Sequence, residues 1–219
     1  MLPRGLVWSI KVFPGNSSST STSDVICGLN EVSNNPAGVD AVNMSVAGLG
    51  DSSFESVRNE GIPVVVAAGN SGGSVQFPAV YRESIAVSAL DNSNTSLASL
   101  SSRGPEIAMD APGVNITSLI DSSPWCCSTT SGTSRVAPHV AAVAGLLKNQ
   151  HPSWSVDDIV SALQAGGDCR RTRVRIRTHP GTATRPRRRA RCARETRTAA
   201  TAAAVCLSPS PATARRDDL

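Results

Sequence analysis

The strongest constraint on the fold is the stretch at positions 131–147, which reads Ser-Gly-Thr-Ser-Arg-Val-Ala-Pro-His-Val-Ala-Ala-Val-Ala-Gly-Leu-Leu. From Val136 onward its residues are small or apolar and carry no charge. A helix of this composition has no polar face to turn toward water, so it is stable only when protein surrounds it. We therefore predict a helix that is buried on every side.

The same stretch places a serine hydroxyl at the beginning of that helix. Gly132 and Thr133 form a small, tight entry, and Ser134 follows them. At this end of a helix the first backbone N–H groups have no partner, and the helix dipole is positive. Such surroundings suit a nucleophile that generates an oxyanion nearby, which makes Ser134 a candidate catalytic residue.

A second stretch, at positions 62–73, reads Ile-Pro-Val-Val-Val-Ala-Ala-Gly-Asn-Ser-Gly-Gly. The continuous apolar run is typical of a buried parallel strand, and the glycines after it allow a sharp turn. Asn70 lies in that turn, where its amide could donate a hydrogen bond into a cleft. The alternative interpretation is a turn asparagine that satisfies its own backbone.

Both stretches resemble motifs of one protein family. The sequence Gly-Thr-Ser at 132–134, followed by Pro-His-Val-Ala at 138–141, closely resembles the nucleophile motif of subtilisin-like serine proteases. The resemblance implies that Ser134 is the nucleophile of a serine endopeptidase and that Asn70 is its oxyanion-hole asparagine. Further similar stretches extend the resemblance over about residues 6–165.

The resemblance also implies a strand that would pair with the backbone of the substrate. Its residues at the site are Ser45, Val46, Ala47 and Gly48. The third of these positions is usually glycine in the family, so Ala47 is expected to narrow the specificity pocket.

Strands and helices are predicted to alternate along the chain. Strands are expected at 6–13, 39–46, 62–68, 84–90 and 114–120, and helices at 22–32 and 51–60. This alternation favours an α/β fold with a parallel sheet, and the resemblance implies the subtilisin-like form, in which helices flank the sheet. Thr22 or Ser23 is expected to cap the first helix, and Ser155 with Asp158 predicts a capping box for another.

Two residues beside Ser134 depart from the family pattern. Arg135 stands where the family usually has methionine, and Val136 stands where it usually has alanine or serine. A buried arginine needs a partner, and a larger branched side chain could crowd the helix. Both substitutions are therefore expected to affect the detailed geometry of the site.

The histidine and aspartate motifs that complete the family's catalytic triad are not found in the sequence. The chain has three histidines, and His139 is expected to point away from Ser134 because it lies more than one helical turn deeper. The segment 6–13 resembles the strand that follows the family's histidine helix. We therefore expect 1–168 to be the C-terminal part of an N-terminally truncated peptidase domain, with the missing N-terminal fragment as a partner. The alternative is a catalytically inactive fragment or a peptide-binding remnant.

Residues 169–219 differ in composition from the rest of the chain. They hold 14 Arg against 3 Asp and Glu, a net charge of +11, whereas residues 1–168 hold 7 Lys and Arg against 14 Asp and Glu, a net charge of −7. Large apolar residues are too few there to offset the entropy of ordering, so we expect a disordered tail. A frameshift in a GC-rich gene is the favoured explanation. A disordered arm without a partner and a nucleic-acid-binding arm are the alternatives.

The composition gives no sign of a cofactor, although the resemblance implies that structural calcium could bind. The expected partner is a polypeptide substrate. Nucleic acid is not expected, because no aromatic residues interleave with the arginines of the tail. No apolar run is long enough to span a membrane. Localisation is left open, since the family is often secreted but the sequence shows no signal peptide at Met1.

Overall fold

The computed structural model describes residues 5–15, 17, 19–47, 55–94, 96–120 and 123–167 of the chain. The tail at 169–219 and the predicted site residue Gly48 lie outside the described residues. The helices found in the described part are α1 (Thr22–Asn34), α2 (Glu55–Asn59), α3 (Thr133–Gln150) and α4 (Val156–Gly166).

Four parallel strands form the central sheet. They are β1 (Val42–Met44), β2 (Val64–Ala67), β3 (Ile85–Leu90) and β4 (Ile107–Pro112), and they lie side by side in that order. A separate antiparallel hairpin follows β4 in the sequence. Its strands are β5 (Ile116–Ile120) and β6 (Ser123–Thr130).

The helices cover both faces of the sheet. Side chains of α1 and α2 pack on one face, together with Val64 and Val66 of β2. Side chains of α3 and α4 pack on the other face, together with Val65 and Ala67. Because successive residues of a strand point to opposite faces, β2 is buried on both sides and consists of apolar residues alone. The predicted α/β fold, with a parallel sheet flanked by helices, is therefore confirmed.

Residues 6–13 do not form the predicted strand. Trp8, Ile10 and Val12 alternate toward the core and pack there as half-buried side chains. A groove of about 530 Å³ lies beside them, and its lining also includes side chains of α1 and residues 42–46. Alternation alone does not make a strand: the backbone needs a hydrogen-bonding neighbour, and here the groove lies beside the segment.

The first helix begins at Thr22, as predicted, but its N-cap is not one of the two predicted residues. Its N-cap is Ser21, rather than Thr22 or Ser23, because the Ser21 hydroxyl accepts the N–H of Asp24. The Asp24 carboxylate in turn accepts the N–H of Ser21, which completes a capping box. Thr22 and Ser23 are hydroxyl residues of the right type, but Asp24 lies three residues after Ser21 and so places the capping box at Ser21.

The strand predicted at 114–120 belongs to the hairpin and not to the parallel sheet. The chain turns at Asn115, whose φ of 54° lies in the left-handed region. This turn directs the following residues away from the sheet and toward β6. The fourth parallel strand is β4, which the sequence pattern did not indicate.

The capping box predicted at the beginning of α4 is confirmed. The Ser155 hydroxyl accepts the N–H of Asp158, and the Asp158 carboxylate accepts the N–H of Ser155. The hydrogen bonds from Ser155 lower the pKa of Asp158. Val156 and Ile159 then anchor the helix in the core.

Gly113 lies where β3 and α3 come close together. Its N–H donates to the carbonyl of Leu90 at 3.3 Å, and its carbonyl accepts the N–H of Gly132 at 2.8 Å. A Cβ at position 113 would lie 2.5 Å from Cβ of Ala89 and 2.6 Å from Cγ2 of Val136. The packing therefore leaves no room for a side chain at this position.

We predict that Gly113→Ala lowers the free energy of unfolding by about 1–3 kcal/mol, the usual cost of adding a methyl group to a packed core. Gly166→Ala is the matched control, since its Cβ would meet nothing within 4 Å and alanine favours a helix. Urea unfolding followed by circular dichroism measures both variants. Equal free energies for the two would mean that α3 moves away from the sheet without cost.

Candidate active site

The site lies at the carboxyl ends of β1 and β2, beside the first turn of α3. Ser45 follows β1, and Asn70 lies in the turn that follows β2. Ser134 is the second residue of α3. Parallel sheets bind ligands at this edge, because loops leave the strands there and helix N-termini point toward it. The structure thus brings three of the predicted site residues to one place.

The side-chain oxygen of Asn70 is held by two hydrogen bonds from Thr133. The Thr133 N–H donates to Oδ1 at 2.8 Å, and the Thr133 hydroxyl donates to the same atom at 3.0 Å. That hydroxyl also accepts the N–H of Gly69 at 3.1 Å, and Thr133 is fully buried. Since Oδ1 is held on the Thr133 side, Nδ2 is left as a donor on an exposed residue, and no described residue accepts from it.

Gly132 allows this close approach between Asn70 and α3. A Cβ at position 132 would lie 3.2 Å from Nδ2 of Asn70, which is closer than side chains normally tolerate. The helix begins directly afterwards. The N–H of Ser134 therefore lies in the first turn, where backbone N–H groups have no carbonyl of the same helix to bind. Two N–H donors, one from a side chain and one from the backbone, therefore belong to the same edge.

Ser134 contacts the end of β1 through its backbone and through its hydroxyl. Its carbonyl accepts the Ser45 hydroxyl at 3.0 Å. Its own hydroxyl donates to the Ser45 carbonyl at 3.4 Å, which is near the upper limit for a hydrogen bond. Ser134 is half-buried, and this long bond holds its hydroxyl only weakly.

Neither described histidine hydrogen-bonds to the Ser134 hydroxyl. The ring Nδ1 of His139 lies 2.6 Å from the carbonyl of Arg135, on its own helix. The ring of His151 stacks on Trp154, with centroids 3.9 Å apart and an interplanar angle of 10°. The third histidine lies outside the described residues. Within the described part of the chain, no histidine is therefore placed to act as a base for Ser134.

Both unusual residues beside Ser134 are accommodated by their neighbours. The guanidinium of Arg135 donates to the hydroxyl of Ser118, on β5, at 3.0 Å, and its side chain is half-buried. Val136 is fully buried, and Gly113 provides the space for its branched side chain. The arginine therefore reaches the hairpin instead of the core, and the valine packs without displacing β3.

The predicted substrate-binding residues follow β1 directly. Ser45 and Val46 are half-buried and Ala47 is exposed, whereas Gly48 lies outside the described residues. A role of these residues in binding a polypeptide stays a prediction. The hydroxyl of Ser45, however, is already engaged with Ser134.

Acidic and metal-binding groups are sparse in this region. Among residues 5–167 that the structure describes, no three His, Cys, Asp or Glu side chains form a group that could hold a metal ion. The calcium ion that the resemblance implies stays a prediction. Burial raises the pKa of Asp40, against the effect of the positive charge of Lys148. This carboxyl precedes β1 and so lies at the end of the strand remote from Ser45.

None of the described helices is long and apolar enough to cross a membrane.

Sequence reasoning missed Thr133 as the residue that holds Asn70. It also missed Ser118 as the partner of Arg135. A threonine among small apolar residues was a usable signal for the first, because a buried hydroxyl almost always has a hydrogen-bonding partner. Nothing in the local sequence pointed to Ser118.

Comparison with known proteins shows extensive similarity. The model of the subtilase family, Peptidase S8, matches residues 3–171. M-protease of Shouchella clausii is 38% identical over 159 residues, which cover 70% of this chain and 40% of that protein. Subtilisin Savinase of Lederbergia lenta is 38% identical over 70% of this chain and 57% of its own length. The chain thus spans about half the length of these relatives, or less.

A solved structure has a similar fold. The crystal structure of a cold adapted subtilisin-like serine proteinase matches with a TM-score of 0.61 and 31% sequence identity. The match covers 68% of this chain and 56% of that one. The subtilisin-like form of the sheet, which the sequence predicts, is therefore confirmed.

We predict that Thr133→Val lowers the free energy of unfolding by about 1–3 kcal/mol. The variant removes the hydroxyl that accepts from Gly69 and so leaves a buried N–H unsatisfied. Thr133→Ser is the control, because it keeps the hydroxyl and loses only the packing of a methyl group, about 1 kcal/mol. Denaturant titration of both variants provides the measurement. If Thr133→Val unfolds at the same denaturant concentration as the parent chain, the hydroxyl contributes nothing to stability.

Proposed function

Because the chain belongs to the subtilase family, we propose that it acts as a subtilisin-like serine endopeptidase on polypeptide substrates, with Ser134 as the nucleophile. The hydroxyl of Ser134 attacks the carbonyl carbon of the scissile bond while a base accepts its proton. The amine leaves after it receives that proton, and the acyl group remains on Ser134. Water then hydrolyses the ester and frees the enzyme.

The fixed amide of Asn70 is the observation that carries this proposal. Two hydrogen bonds from Thr133 hold Oδ1, so Nδ2 can meet a developing oxyanion without turning. A donor that is already oriented adds no reorganisation energy to the transition state. The N–H of Ser134 supplies a second donor, and the positive end of the α3 dipole strengthens both.

The base in this proposal comes from outside the described residues. The Ser134 hydroxyl donates to a peptide carbonyl, that of Ser45, which is not basic enough to take its proton. The same contact favours the alternative of a catalytically inactive fragment or a peptide-binding remnant. The two proposals differ in one respect: only the first requires the serine to react when a base is supplied.

The division of the chain is part of the same proposal. The family match ends at residue 171, and the last described helix ends at Gly166. Both boundaries support a peptidase unit at 1–168 and a separate tail at 169–219. Under this proposal the tail contributes no residue to the site and binds no nucleic acid. The secretion that the resemblance suggests also remains a proposal.

We predict that the chain alone hydrolyses an activated peptide ester at the background rate and that added imidazole raises this rate. In subtilisin, loss of the triad serine or histidine costs on the order of 10⁶ in kcat. A free imidazole can replace the proton acceptor if the remainder of the site is in place. Imidazole also hydrolyses activated esters in solution, so Ser134→Ala should lower the imidazole-dependent rate to that of imidazole and ester without protein.

A control variant outside the site and two possible outcomes make this test decisive. Ser84→Ala removes a half-buried hydroxyl that donates to Tyr81, outside the site, and should retain the imidazole-dependent rate. A rate above that of imidazole alone that survives Ser134→Ala would identify another nucleophile in the protein. A folded parent chain that adds nothing to the rate of imidazole alone would support the inactive alternative.

We further predict that Asn70→Ala lowers kcat of the imidazole-assisted reaction by about 10²–10³ and changes KM little. This is the loss known for removing one oxyanion donor from subtilisin. Ser71→Ala is the control, because Ser71 is next to Asn70 in the turn. The substitution removes the hydrogen bond between the hydroxyls of Ser71 and Ser102 and leaves Asn70 in place. A loss that appears in KM instead would mean that Asn70 binds the substrate and not the transition state.

A further inference from the structure

Pro138 interrupts the hydrogen bonds in the first turns of α3. It lies inside the helix, and proline has no N–H to donate. In an uninterrupted α-helix, that N–H would bind the carbonyl four residues earlier, which here belongs to Ser134. The proposed nucleophile is therefore the residue whose carbonyl loses its helical partner.

The hydroxyl of Ser45 donates to that carbonyl at 3.0 Å. A serine hydroxyl has one hydrogen, and this bond uses it. The side-chain Nδ2 of Asn43 lies 3.3 Å from the Ser45 oxygen and donates to it. The direction of the relay is therefore fixed, from Asn43 through Ser45 to the carbonyl of Ser134.

We propose that Ser45 is a positioning residue, whose hydroxyl replaces the helical hydrogen bond that Pro138 removes and thereby fixes the backbone of Ser134. The inference rests on the proposed role of Ser134 as nucleophile. It also changes the expectation for Ser45, which the family resemblance assigns to substrate binding. Its side chain serves the nucleophile, and its backbone alone is left for a substrate.

The first turn of α3 is then held on two sides. Thr133 joins it to Asn70, and Ser45 joins it to the end of β1. Without the Ser45 hydroxyl, the Ser134 carbonyl would lose this side-chain donor, and Pro138 has no N–H to replace it. The turn could then shift relative to the Asn70 amide, and a misplacement of ~1 Å can lower a catalytic rate by about 10²-fold.

A double-mutant cycle between Ser45 and Pro138 tests this inference. Pro138→Ala restores the helical N–H, so it gives the Ser134 carbonyl a partner that does not depend on Ser45. In the parent chain, Ser45→Ala should lower the maximal imidazole-assisted ester hydrolysis about tenfold and leave KM within about twofold. In the Pro138→Ala background, the same substitution should cost about twofold or less.

The conservative variant and the control separate positioning from general damage. Ser45→Thr keeps a hydroxyl and should retain the rate within about threefold, whereas Ser84→Ala should behave like the parent in both backgrounds. An equal loss for Ser45→Ala in the two backgrounds would overturn the link to Pro138. A rise in KM with an unchanged maximal rate would instead assign the Ser45 hydroxyl to the substrate.

The same variants can be compared by their unfolding equilibrium constants, a measurement that does not require activity. Ser45→Ala should raise the unfolding equilibrium constant about fivefold to tenfold in the parent chain, as loss of one hydrogen bond does, and about twofold or less in Pro138→Ala. If imidazole produces no turnover but this coupling is present, the proposed function fails and the contact stands. If turnover is present without coupling, the positioning role is wrong and the proposed function stands.

Discussion

The close packing of α3 against the sheet is the constraint on which the rest of the structure depends. The helix residues that face the sheet are small, and Ala137, Ala141 and Ala144 are fully buried. Small side chains allow the backbones of helix and strands to approach closely. Gly113 has no side chain that would collide with Ala89 of β3 or Val136 of α3. A displacement of this helix would carry its whole first turn with it, including Ser134.

The geometry of the site follows from that packing. The turn containing Asn70 leaves β2, which is buried on both faces and so cannot shift easily. The helix delivers Thr133 to the same point, and the 2.8 Å bond from its N–H to Asn70 is the result. Residues that are 63 positions apart in the sequence thus form one rigid unit. The proposed oxyanion donor and the proposed nucleophile are oriented by the core and not by the loops around them.

How far the sequence predicts this arrangement depends on whether a feature is local. A strand of valines reveals its burial through composition, so β2 could be predicted. The small residues also predict a helix at α3, but the prediction that it is buried on every side is wrong, because Val143 and Leu146 are exposed. Composition does not show which face of an apolar helix the rest of the protein leaves uncovered. The segment at 6–13 has the alternation of a strand, but pairing depends on a neighbour that its own residues do not specify. The bond from Ser45 to Ser134 spans 89 residues, and no local pattern contains that information. The resemblance to a family supplied the identity of the site, while the contacts that hold it come from the structure.

The resting contact of Ser134 bears on what the site can do. Its hydroxyl donates to the Ser45 carbonyl over 3.4 Å, and a bond of that length is weak. A base that approached the hydroxyl would compete against this one contact, so the serine can turn at little cost. The backbone of Ser134, by contrast, is held by the shorter bond from the Ser45 hydroxyl. The residue that follows β1 therefore holds the main chain of the proposed nucleophile and restrains its hydroxyl only weakly, which is the combination that a nucleophile needs.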